Sequence, residues 1–161
     1  MPSVISDTSP LLYLYQIDGL TWLTTLFDEV WTAAAVVAEL QEGQRLGFDV
    51  PNLSDYEWLQ LASPMQIPAA WQTLDLGVGE LAVMALALET PERLVLLDDA
   101  LARQTAQVAG LTVWGTLRVL LEAKNQELIS RVAPFVDQLR DSGMWISTEI
   151  QQRILRLAGE S

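Results

Sequence analysis

The 161-residue chain contains no cysteine and no histidine. That excludes thiol nucleophiles, disulfide staples, imidazole bases and zinc sites of the Cys/His kind, leaving carboxylates, hydroxyls and a few basic groups for any chemistry. Bases are scarce as well: nine Lys and Arg stand against 21 Asp and Glu, and Lys124 is the only lysine. No apolar run reaches the roughly 18 residues that a membrane span needs. The opening Met-Pro-Ser-Val-Ile-Ser-Asp lacks the basic stretch of a secretory signal. A soluble, cytoplasmic protein without membrane association is the expectation.

What the chain does have is apolar mass: half of its residues are hydrophobic, enough for one domain over residues 1–161 with a core that needs neither disulfide nor metal. The formal net charge of −12 is unevenly spread. Residues 1–90 hold twelve acids and one base, Arg45, a balance of −11, whereas residues 91–161 hold nine acids and eight bases, a balance of −1. An acidic surface repels a polyphosphate. Divalent cations gathered by the acids of the first half would relieve part of that excess, and the bases of the second half could then face phosphate. The plainer alternative is an acidic, well-solvated surface.

Hydrophobic patterning predicts an alternation of strands and helices. Ser3–Ser6 reads as a strand, and Asp7-Thr8-Ser9-Pro10 as the start of a helix with Pro just inside it. After the apolar stretch Thr21–Leu26 come a short strand at Glu29–Thr32, an Ala/Val-rich helix from Ala33 to about Glu42, a loop over 43–54 and a third strand at Glu57–Ala62. Glu80–Glu89 is an almost wholly apolar helix, Leu94–Leu97 a strand buried on both faces, and Ala100–Ala109 a helix. Thr112–Trp114 is a fifth strand, followed by a helix from Thr116 through Lys124 and two amphipathic helices, Val132–Arg140 and Thr148–Ala158, which pack on the domain as C-terminal additions. This order implies an α/β fold: a parallel sheet of four to five strands, right-handed crossovers and helices on both faces. Functional residues should then stand just beyond the carboxyl ends of the strands.

Acidic residues occupy those positions. Asp7 follows the first strand, and Asp98 and Asp99 follow the long apolar one; Glu39 lies inside the second helix amid Ala, Val and Leu, and Glu80 in the first turn of the most apolar helix. An unpaired carboxylate in apolar surroundings is costly, and only Arg45 is at hand in the first ninety residues. Hard Mg²⁺ or Mn²⁺, which prefers oxygen ligands, would satisfy the group economically. Each acid also has a local reading: Asp7 as a helix N-cap, Glu80 as an acid favoured by the helix dipole, Glu39 on a solvated face, and one of Asp98 and Asp99 as a cap.

Several phrases resemble PIN-domain nucleases: Val4-Ile5-Ser6-Asp7-Thr8-Ser9-Pro10-Leu11, Glu39 within its Ala/Val-rich helix, Gly77-Val78-Gly79-Glu80, and Leu96-Leu97-Asp98-Asp99 followed by Ala102-Arg103. Gly115-Thr116-Leu117 and Ala123-Lys124 are similar to a VapC-related, toxin-like bacterial branch, and the likeness runs over about residues 3–158. Val78 departs from the charged residue usual between the two glycines, and Trp114 from a small apolar one. The resemblance implies a three-layer Rossmann-like PIN domain cleaving RNA with Mg²⁺ or Mn²⁺. It implies Asp7, Glu39, Glu80 and one of Asp98 or Asp99 as metal ligands and catalytic acids, and Thr8 or Ser9 as the holder of a water. Arg103 would be a phosphate contact, against an ordinary surface or carboxylate-pairing role.

Two functions compete. One is a metal-dependent ribonuclease, the toxin of a toxin–antitoxin pair or a relative. The other is a PIN module with weak or no catalysis that binds or assembles with a partner, a reading the acidic surface favours. A receiver or dehalogenase-type phosphoacceptor fits worse, because Asp7-Thr8-Ser9 is not Asp-x-Asp and Lys124 lies within a helix. Six tryptophans, among them Trp22, Trp58, Trp71 and Trp145, suggest a homodimer through surface anchors, with core packing the competing role. A small antitoxin protein could place an arginine in the acidic cleft.

Overall fold

The structure, a computed structural model, describes residues 2–161. Five strands form one sheet: β1 (Val4–Ser6), β2 (Val30–Ala33), β3 (Leu59–Ala62), β4 (Leu94–Leu96) and β5 (Val113–Trp114). Their spatial order is β3-β2-β1-β4-β5 and every neighbouring pair is parallel. Parallel strands need crossovers, and the helices provide them: α1 (Thr8–Gln16), α2 (Trp22–Leu26), α3 (Ala34–Arg45), α4 (Val78–Glu89), α5 (Ala100–Val108), α6 (Thr116–Asn125), α7 (Ala133–Asp141) and α8 (Thr148–Leu157). The result is the expected α/β, Rossmann-like arrangement, a parallel sheet flanked by helices.

The chain builds outward from β1 to β3 and then returns to set β4 on the other side of β1. That reversal opens a crevice between the carboxyl ends of β1 and β4, the place where ligands lie in open α/β sheets. Register across the reversal is fixed by Val4 opposite Leu94, Ile5 opposite Val95 and Ser6 opposite Leu96. All six of these residues are buried, so a slip by one residue would turn core side chains toward the wrong layer.

The helix α4 has no polar face to offer. Gly79 and every residue from Ala82 to Ala87 are buried, and the helix lies against β1, β2, β4 and α3. The amphipathic α6 buries Thr116, Val119, Leu120 and Ala123 and contacts α1, α2 and α8. Near the C-terminus, Glu160 ties α7 down. Its Oε2 accepts from Lys124 Nζ at 3.0 Å and from the Val132 amide at 2.8 Å, and its Oε1 accepts from the Ala133 amide at 3.1 Å. A carboxylate on the first amides of a helix satisfies donors that have no partner within the helix and meets the positive end of its dipole.

Some boundaries differ from the sequence expectation, for local reasons. Thr21–Leu26 contributes the one-and-a-half-turn α2, short enough to show no clear period. The helix α3 passes Glu42 and runs to Arg45, whose guanidinium pairs with Glu42 one turn back. Strand β3 starts at Leu59, two residues later than the apolar run suggests, and a 3-10 turn at Ala69–Thr73 buries Trp71. Of the four tryptophans considered as surface anchors, Trp71 is buried, Trp22 packs edge-on against Phe135 with ring centroids 5.3 Å apart, and Trp58 stands 5.5 Å from Tyr56. Only Trp145 among them remains in solvent, 83% exposed. Among the described residues no helix is long and apolar enough to cross a membrane.

Candidate metal centre

Asp7 stands at the mouth of the crevice. Its amide donates to the Leu96 carbonyl at 3.1 Å, carrying the β1–β4 ladder one residue beyond the strand, before the backbone turns into α1. Although Asp7 holds the N-cap position, its side chain makes no capping bond, which removes the local explanation for it. The residue is 3% exposed, and its Oδ1 is buried without a hydrogen-bond partner. Burial pushes the carboxyl up to about 7. The Thr8 amide works against that shift, while the charges of Glu80, Glu39 and Asp98 add to it. The four acids expected at this corner therefore do share one electrostatic neighbourhood, though they come from four separate elements.

The other acids are better provided for than their sequence surroundings suggest. Glu39 is an exposed residue rather than one enclosed by its Ala and Val neighbours. Its Oε1 accepts from the Gly79 amide at 2.8 Å, and its Oε2 accepts from the Thr8 hydroxyl. Glu80 reaches back to the Gly77 amide at 2.8 Å, closing the first turn of α4, and burial raises its pKa with Asp99 and Glu39 adding to the effect. Asp98 accepts from both the amide (2.8 Å) and the hydroxyl (2.6 Å) of Thr116, yet burial still raises its pKa. Asp99 is exposed and caps α5 through the Ala102 amide at 2.9 Å. The adjacent aspartates thus divide the work: Asp99 caps, and Asp98 is turned toward the β5–α6 junction.

The residues expected to hold water or phosphate have other partners. Thr8 gives its hydroxyl proton to Glu39 and so orients a carboxylate, while Ser9 is half-buried in the first turn of α1. Arg103 Nη1 donates to the Leu97 carbonyl at 2.9 Å, and its charge lowers the Asp98 pKa. Its hydrogen bond thus goes to a backbone carbonyl, and it acts on Asp98 through charge alone. Sequence reasoning did not single out Thr116 as a site residue, although a Gly-Thr pair directly after a strand marks the same strand-to-helix junction that identified Asp7. Tyr13 was missed altogether; burial and the Asp98 charge both raise its pKa, and nothing in the spacing of α1 marks it.

Two glycines admit these contacts. A Cβ on Gly79 would lie 2.7 Å from Glu39 Oε1, and one on Gly115 would lie 2.8 Å from Arg103 Nη1 and 3.1 Å from Asp98 Oδ1. A side chain at either position would displace the Glu39 carboxylate or the Arg103 guanidinium from the contacts just described.

Among the described residues no three acids close on a common point as a finished ligand shell. The donor set nevertheless suits Mg²⁺ or Mn²⁺, because these ions keep several waters and need only one or two carboxylates. The buried, unpartnered Oδ1 of Asp7 is what a protein would otherwise avoid.

Comparison with known proteins identifies the family and the fold. The family model DUF3368, described as a PIN domain, matches residues 3–160. Among solved structures, the chain is similar to a PilT N-terminus domain protein, SSO1118, from the hyperthermophilic archaeon Sulfolobus solfataricus P2. The TM-score is 0.56 at 15% identity, over 76% of this chain and 93% of that one. That likeness supports the fold alone. No protein with a curated description matches the chain.

Proposed function

Because the chain belongs to the PIN-domain family, whose fold is of nuclease type, we propose that it is an endoribonuclease dependent on Mg²⁺ or Mn²⁺. The observation that carries this reading is Asp7: a carboxyl buried without a partner for Oδ1, raised to about 7, and facing Glu39, Glu80 and Asp98. Asp7 and Asp98 would hold the ion from adjacent strand ends. Glu39, fixed by Thr8 and Gly79, and Glu80, fixed by Gly77, would bind its waters or a second ion. Asp99 serves first as the α5 cap and adds negative charge near Glu80. A bound divalent cation would supply a water of lowered pKa and shield the phosphate. Thr116 fixes the Asp98 carboxylate at the end of β4, and the Arg103 charge favours its ionised form.

The test is cleavage of a single-stranded RNA with Mn²⁺ by the wild type, Asp7→Asn and Asp98→Asn. The expected result is cleavage by the wild type and a loss of about a hundredfold or more in each variant, since removing one preorganised charge at a reacting centre costs that much. Equal rates in all three proteins would remove the nuclease reading.

The second reading is a PIN module that binds a partner without cleaving. The net charge of −12 and the protein donors already engaged by four of the five acids favour it. Toxicity relieved by a small co-expressed protein that presents an arginine to the acids would assign the chain to a toxin–antitoxin pair. Homodimerisation and a cytoplasmic location belong to the same proposal.

A further inference from the structure

Beside Asp98 a groove of about 670 Å³ runs between α6 and α8. Its floor is apolar, with Leu117, Leu121, Met144 and Ile154, and Trp145 stands at its rim with most of its side chain in solvent. Three arginines line it: Arg103 at the Asp98 end, Arg118 and Arg153. Arg118 is held over the Trp114 ring at 4.6 Å and reaches Glu122 at 3.2 Å. Arg153 and Arg156, together with Glu149, also line a second, separate depression on α8.

The engagement of the cations elsewhere makes this groove distinctive. Arg45 pairs with Glu42, Lys124 and Arg131 with Glu160, Arg140 bonds Ile146 and Gln151, and Arg93 covers Trp31 at 4.1 Å. Among the described residues, Arg153 and Arg156 have no acidic partner. A chain with so few bases leaves two unpaired on the helix that walls the groove, next to an exposed indole and within reach of the acidic crevice. A polyanion with flat apolar faces satisfies all of these features together, because phosphates answer the guanidiniums and bases answer the indole and the apolar floor.

We infer that the α6–α8 groove is the path by which single-stranded nucleic acid reaches Asp98, with Trp145 stacking a base and Arg118 and Arg153 contacting phosphates. This rests on the nuclease reading for its destination, though not for binding itself. A duplex does not suit it, since the stacking surface requires an unpaired base.

The test measures two quantities on the full chain. Anisotropy of a fluorescein-labelled single-stranded oligoribonucleotide reports binding at low salt without metal, and the Mn²⁺ assay reports KM and kcat. Trp145→Ala and Arg153→Glu are each expected to weaken binding about tenfold or more, to raise KM more than they lower kcat, and, for Arg153→Glu, to flatten the salt dependence of binding. Val108→Ser, at an apolar position 85% exposed and outside the groove, serves as the control with binding unchanged. All three positions are surface ones, and thermal melts matching wild type confirm intact folding.

If the wild type cleaves and both groove variants keep wild-type binding and KM, the path is wrong and the nuclease reading stands. If the wild type binds without cleaving and the variants lose binding, the groove stands and the nuclease reading fails. If the variants leave RNA binding intact but abolish self-association in sedimentation, a second copy of the chain occupies the groove and the inference is overturned.

Discussion

Asp7 is a residue whose stability and function pull apart. Its pKa rises from 3.8 to about 7, so between those values the folded protein binds a proton that the unfolded chain releases. Stability from this group is therefore present at low pH and lost as pH climbs through that window, by on the order of 4 kcal/mol. An asparagine resembles the protonated acid. Asp7→Asn should raise the melting temperature of the metal-free protein at pH 8 by several degrees while leaving it little changed near pH 4, and should abolish metal-dependent cleavage. Circular-dichroism melts at the two pH values decide the point; a destabilised variant at pH 8 would mean that Asp7 is satisfied as a carboxylate without metal.

The same scale shows what the sequence could disclose. Asp7, Asp98 and Asp99 were legible because charge after an apolar strand is conspicuous. Glu80 was legible because it is the sole charge opening a helix that is otherwise apolar down to Glu89. The partners were hidden: Thr116 meets Asp98 from eighteen positions away, and Gly79 meets Glu39 from forty. Nothing local in a threonine or a glycine announces a contact made through a backbone amide across the fold.

Among the elements, α7 depends on a residue that lies after α8. Burial would raise the Glu160 pKa; the Val132 amide, Lys124 and the Ala133 amide outweigh it and hold the carboxyl below the ordinary glutamate value. A depressed folded pKa contributes stability above the unfolded value of 4.5 and loses it as pH falls further. Glu160→Gln should cost about 2 kcal/mol at pH 7, chiefly by leaving Lys124 and the α7 amides poorly matched. The cost should shrink toward pH 3, as denaturant unfolding at the two pH values would show. An equal cost at both would assign the loss to packing instead of charge. The carboxylate contact was not expected from the sequence, since Glu160 lies beyond the last periodic segment, Thr148–Ala158. Strands and helices themselves were readable wherever the apolar period ran for two turns or more, and failed at α2, which is too brief to display one.

Over the whole molecule, the acidic excess has its counterpart in cation uptake. If Mg²⁺ or Mn²⁺ neutralises the crevice, saturation to about a hundred times Kd should stabilise the fold by about 2.7 kcal/mol. For a domain of this size that raises the melting temperature by about 5–10 °C. The shift should be absent from Asp7→Asn/Asp98→Asn. Calorimetric scans with Mn²⁺ and with a chelator measure it, and an equal shift in the double variant would place the ions elsewhere on the acidic surface.

The reversal of strand order between β1 and β4 also bears on how such a site is lost. Asp7 follows the end of β1 directly and Asp98 lies two residues beyond the end of β4, so the separation of their backbones is tied to the β1–β4 register more than to the side chains packed around them. Descendants of this chain can exchange most of their interior without spreading the two aspartates. They forfeit the pair in a single step, when one acid is replaced, and until then the crevice keeps its width through every change of loop and surface.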